Sequence, residues 1–74
     1  MHYIKRITCD PKIMLGKPVI KGTRITVELI LKKLGEGMTI KEMLEAYTQL
    51  KHDDILAAIS YSAEVIAREE MIVS

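Results

Sequence analysis

Two patterns of apolar residues meet at Thr26. From there on the spacing is helical. Val27, Ile30, Leu31 and Leu34 recur at i, i+3, i+4 and i+7, one buried face of a helix that Thr26 opens as N-cap. Gly35 is expected to stop this helix, with Gly35-Glu36-Gly37 as the turn. Thr39-Ile40-Lys41-Glu42 has the form of a capping box, and Ile40, Met43, Leu44 and Tyr47 repeat the same spacing in a short second helix. Thr48-Gln49-Leu50 is a link. A third helix is predicted from near His52, with Asp53 and Asp54 in its positive first turn, to Ile72, unbroken by Gly or Pro.

Upstream of Thr26 the pattern is strand-like. Tyr3 to Thr8 alternates and is rich in β-formers; Asp10-Pro11 marks a turn; Ile13-Met14-Leu15 is an apolar patch ended by Gly16. Lys17-Pro18-Val19-Ile20 and Thr23-Arg24-Ile25 flank Lys21-Gly22, which predicts a tight hairpin or paired loop. Pro18 has no N–H to give a ladder, so these segments are edges or irregular. The expected fold is mainly α: a trihelical helix-turn-helix unit over 26–74 behind a short β-rich arm over 1–25, in one domain.

The third helix carries two apolar stripes. At 100° per residue, Ile55, Leu56, Ile59, Ala63 and Ile66 form one, and Ala58, Tyr61, Val65 and Ile72 form another on nearly the opposite side. A three-helix domain needs a single core-facing stripe. The second stripe is therefore expected to be a seam with a second copy or another partner, unless the arm folds over it.

Length sharpens that expectation. A chain of 74 residues, 49% apolar, hides its apolar surface with difficulty as a monomer, which predicts a homodimer. Net charge is only +1, but it is unevenly spread. Residues 1–33 hold eight cationic and two acidic side chains, net +6, whereas residues 34–74 hold three and eight, net −5. One end suits a polyanion and the other a different partner, or the two ends meet in a head-to-tail assembly. Within the basic arm, Lys17, Lys21 and Arg24 are the candidate DNA contacts. Arg24, with its rigid five-donor fork, equally suits a carboxylate on an acidic helix.

No apolar run reaches signal-peptide or membrane-spanning length, and the lone Cys9 fits a reducing cytoplasm, where it is expected to be a small buried hydrophobe. Enzymatic readings find little purchase. Gly16-Lys17 lacks the rest of a phosphate-binding loop, and His2, His52 and Cys9 lack metal-ligand spacing. Adjacent Asp53 and Asp54 diverge by about 100° on a helix, so they are not expected to flank one substrate atom. Neither catalysis nor a cofactor is expected.

The most specific segment is Gly16-Lys17-Pro18-Val19-Ile20-Lys21-Gly22-Thr23-Arg24-Ile25-Thr26-Val27. It resembles the signature of the family called domain of unknown function 433, and the resemblance continues through Gly37, Ile40–Tyr47, Leu50, Asp54-Ile55 and Ala58. It implies a homeodomain-like or winged-helix-like trihelical fold with an N-terminal β element. Because the family includes VapB-like antitoxins, it also implies a type II toxin–antitoxin role, covering a PIN-like ribonuclease and binding operator DNA. A stand-alone DNA-binding regulator and a protein-interaction adaptor are the alternatives. The chain departs from the family pattern in three places. Leu15 stands where a second glycine commonly precedes Gly16, Thr48-Gln49 replaces a proline-containing link, and Lys51 replaces a Ser/Thr cap. Asp53 and Asp54 also sit where a recognition helix approaches DNA phosphates, which they would repel.

Overall fold

A computed structural model describes the backbone of residues 5–73 and the side chains of residues 5–68. Three helices, α1 (Val27–Gly35), α2 (Ile40–Ala46) and α3 (His52–Val73), follow a two-stranded antiparallel sheet of β1 (Ile7–Thr8) and β2 (Val19–Ile20). The domain is thus small and mainly helical. Tyr3 and Ile4, which belong to the expected first strand, lie outside the described residues.

Local chemistry accounts for the helix ends. The Thr26 hydroxyl accepts from the Leu29 N–H at 3.0 Å and starts α1. At the other end, Gly35 is the last helical residue and the reversal comes two residues later. Gly37 N–H donates to Leu34 O at 3.0 Å and Met38 N–H to Lys33 O at 3.1 Å, the paired closure that consumes a helix's last carbonyls. Gly37 sits at φ +101°, a conformation that L side chains avoid. The helix thus ends at Gly35 and the predicted Gly35-Glu36-Gly37 turn forms, with Gly37 as its left-handed residue. Thr39 then forms the complete predicted capping box: its hydroxyl accepts from Glu42 N–H, and the Glu42 carboxylate accepts from Thr39 N–H. Thr39 holds the Glu42 carboxyl below its usual range, chiefly through its backbone N–H and then through its side-chain hydroxyl.

The arm closes differently from the predicted hairpin. Lys21-Gly22 does make a tight turn, with Thr23 N–H donating to Ile20 O and Gly22 at φ +83°, as position i+2 of a type II turn requires. The ladder partner of β2, however, is β1, with Ile7 opposite Ile20 and Thr8 opposite Val19. On its other edge Val19 bridges Thr26. Pro18 contributes what it has, its carbonyl, which accepts from Val27 N–H at 2.9 Å. The arm is thereby hydrogen-bonded to the first residue of α1.

All three helices contact one another around Ile20, Val27, Ile30, Met43, Leu50, Ile55 and Ala58, with Ile7 and Ile25 packed from the arm. Burying each of the larger aliphatic side chains is worth roughly 1.5–3 kcal/mol, so the arm's Ile20 is as much part of the core as α1's Ile30.

On α3 the sequence reading is overturned in part. Ala58, expected on a partner seam, is fully buried in the core, beside the equally buried Ala57 and Ile55. Tyr61 packs against the same core, and its phenol is pushed up from its ordinary value, first by burial and then by the neighbouring Cys9 of the arm. The arm therefore reaches the stripe assigned to a partner. Val65 is half-buried, and the side chain of Ile72 lies outside the described residues. The other stripe is split: Ile55 is in the core, but Ile59 is 40% exposed, Ile66 63%, and Ala63 between them is exposed. Small residues explain the choice. Ala57 and Ala58 let α3 lie close against its neighbours, and Ser62 is tolerated on this side because its hydroxyl donates to Ala58 O at 2.7 Å.

Cys9 is exposed rather than buried. Another exposed feature is the turn Met14–Gly16, where Met14 (φ +50°) and Leu15 (φ +59°) both adopt the left-handed region and Leu15 is 93% exposed.

Candidate nucleic-acid interface

The β1–β2 pairing and the start of α3 bring together cations that are far apart in sequence. Lys5 precedes β1, Lys21 follows β2 in its turn, and Lys51 directly precedes α3. These three line one open concavity of about 430 Å³ together with Arg6, Gln49 and Asp54. Arg24, on the far side of the Gly22 turn, lines a second concavity of about 410 Å³ with Ile13, Gly22, Thr23 and Gln49. Gln49 is shared by both, so the two hollows are neighbours on one face. Lys5, Lys21, Arg24 and Lys51 are all exposed, and none has an ion-pair partner among the described residues.

Both acidic residues that counted against this face contact Arg6, Asp54 buried and Asp53 with 60% of its side chain exposed. Arg6 Nη1 donates to Asp54 Oδ1 at 2.9 Å, and its Nη2 lies 3.5 Å from Asp53 Oδ2. One guanidinium thus spans two carboxylates that were expected to diverge. The second oxygen of Asp54 accepts from Lys51 N–H at 2.9 Å, closing the first turn of α3 in place of a Ser/Thr cap. With 8% of its side-chain surface exposed, Asp54 presents almost no free charge outward. An arginine therefore does pin the arm to an acidic helix, but it is Arg6 and not Arg24.

Of the three predicted DNA contacts, Lys21 and Arg24 lie on this face. Lys17 does not. Its ammonium is 3.0 Å from Glu28 Oε1, in a shallow groove with Met14, Thr26, Leu29 and Lys32. Lys5, Arg6, Gln49 and Lys51 were missed as members of the face. Positions near 5, 21, 24, 49 and 51 have no periodicity in common, so only the fold could join them.

The family model described as "Protein of unknown function (DUF433)" matches residues 7–62. The chain is 34% identical over 56 residues to the uncharacterized protein y4eO of Sinorhizobium fredii, a match covering 76% of this chain and spanning only a quarter of that relative's length. It is 60% identical over 25 residues to an uncharacterized protein of Archaeoglobus fulgidus, covering 34% of this chain and 69% of that one. Among solved structures, a DUF433 member from Anabaena variabilis superposes with a TM-score of 0.79 at 25% identity, covering 97% of this chain and 75% of its own. With its fold and most of its length matched, the chain belongs to the DUF433 family of proteins of unknown function.

Proposed function

We propose that this chain is a duplex-DNA-binding protein of the antitoxin type, in which α2, the Thr48–Leu50 link and α3 act as a helix-turn-helix with the Lys21–Arg24 turn beside it. The observation that carries the reading is the face itself. Four exposed cations converge around Gln49, while the adjacent Asp54 is buried against Arg6. Phosphates are held by such dispersed ammonium and guanidinium groups, and the start of α3 lies among them.

Counterion release gives the test. Each neutralised phosphate contributes about −0.9 to the slope of log K against log salt, so four contacts give a slope of roughly −3.6. Fluorescence anisotropy with a labelled duplex checks this. Lys21→Glu with Arg24→Glu should abolish binding, whereas Lys17→Glu should leave the slope unchanged. No binding by the native chain at low salt defeats the proposal.

The antitoxin role draws on the family resemblance and on the acidic half of the chain, which suits a basic partner surface such as that of an RNA-cleaving nuclease. Co-expression with a cognate PIN-like ribonuclease should relieve the growth arrest that the nuclease causes. Persistent arrest would leave a DNA-binding regulator without a toxin.

A further inference from the structure

We infer that Gln49 is the residue through which this face reads base sequence, and that the base it selects is adenine in the major groove; this rests on the duplex-binding reading above. The geometry begins with how Gln49 is held. Leu50 N–H donates to Tyr47 O at 2.9 Å, closing a turn with Thr48 and Gln49 at its two central positions. Both ends of that turn are anchored in the core, Tyr47 packed against it and Leu50 buried within it. Gln49 itself is exposed. It is therefore a short, outward-pointing corner on a fixed base, placed where the two cationic concavities adjoin.

Its chemistry then sets it apart from its neighbours. Lysine and arginine carry donors but no acceptor, so Lys5, Lys21, Arg24 and Lys51 suit phosphate oxygens. Thr23 is committed within its own turn, its hydroxyl donating to Ile20 O and accepting from Ile25 N–H. Asp54 is committed to Arg6 and to Lys51 N–H. Of the side chains lining the two concavities, Gln49 is left as the group that can donate and accept at once, and no partner holds its amide among the described residues. Adenine offers the matching pair on its major-groove edge, the N7 acceptor and the N6 amino donor, and glutamine bonds both. The deep, narrow major groove of double-stranded RNA closes that edge to side chains, so of the two duplexes the reading fits DNA.

The experiment is binding selection from a randomised duplex pool, sequenced after enrichment, with the native chain, Gln49→Ala and Gln49→Glu. The native chain should enrich adenine at one position of each half-site. Gln49→Ala should lose that preference by roughly 5- to 150-fold, the value of one bidentate contact, while its salt slope, set by the cations, stays unchanged. Gln49→Glu, which can only accept, should shift the preference toward cytosine, whose N4 amino group donates. In the selected site, 7-deazaadenine should weaken binding by the native chain and leave Gln49→Ala unaffected. Equal adenine preference in Gln49→Ala overturns the inference while leaving the duplex-binding proposal standing, as does a guanine preference that vanishes instead with Arg24→Ala. Absence of duplex binding by the native chain removes both.

Discussion

Among individual residues, Leu15 shows the clearest conflict between sequence and backbone. Its φ of +59° lies where glycine is at ease, and its side chain gains almost no burial in return. A left-handed L-residue costs roughly 1–2 kcal/mol, more than the extra unfolded-state freedom that glycine brings, about 0.4–1 kcal/mol. Leu15→Gly is therefore expected to stabilise the domain, by about 0.5–1 kcal/mol, measured as a higher denaturation midpoint at unchanged m-value. An equal or lower midpoint would mean that the Leu15 side chain makes a stabilising contact in the folded protein. The substitution was legible from the departure at Leu15 from the family's glycine pair, but the strain was not, because sequence does not give φ. Asp54 teaches the opposite lesson. Its place in the first turn of α3 was legible from helix electrostatics, whereas its burial against Arg6 spans 48 residues and needed the fold.

At the scale of elements, the helix starts were readable because capping is local chemistry. Thr26 and Thr39 act on N–H groups three residues ahead, and that spacing is written in the chain. Thr39→Ala should destabilise the domain by about 1 kcal/mol, checked by urea denaturation. It should also move the Glu42 titration part of the way back toward its ordinary value, since the Thr39 hydroxyl is one of two groups that lower it. The sign follows from that lowering. Glu42 stabilises α2 fully above its unfolded-state pKa, and the contribution fades as pH falls through the lower folded value. A Glu42 titration unchanged in Thr39→Ala, followed by NMR, would contradict the capping assignment. The strands were less legible. Alternation marked Tyr3–Thr8 and the Lys21-Gly22 turn marked Val19-Ile20, but not that the two pair, because β1 and β2 are separated by an irregular loop. The two stripes of α3 were both visible as periodicity, yet periodicity does not say which side faces inward. Close packing at Ile55, Ala57 and Ala58 decided it, leaving Ile59 and Ile66 outside.

For the whole molecule, the outcome on α3 changes which surface a second copy would cover without removing the case for one. At 22 residues, α3 is about 33 Å long at 1.5 Å per residue, comparable with the 38 Å longest extent of the molecule. Its outer side leaves Ile59 and Ile66 in water. The stripe is self-complementary. In an antiparallel pair of α3 helices centred near Ala63, Ile59 of one copy meets Ile66 of the other, and the small central residue permits close approach. Such a dimer would present two basic faces to two half-sites, as symmetric duplex recognition requires. Sedimentation equilibrium should therefore find a dimer, and Ile66→Glu should convert it to a monomer without loss of helicity. In the same variant the DNA salt slope should fall to the value of one face. A monomeric native chain would leave the exposed isoleucines to a different protein, and a dimer indifferent to Ile66→Glu would place the two-fold axis elsewhere on the fold.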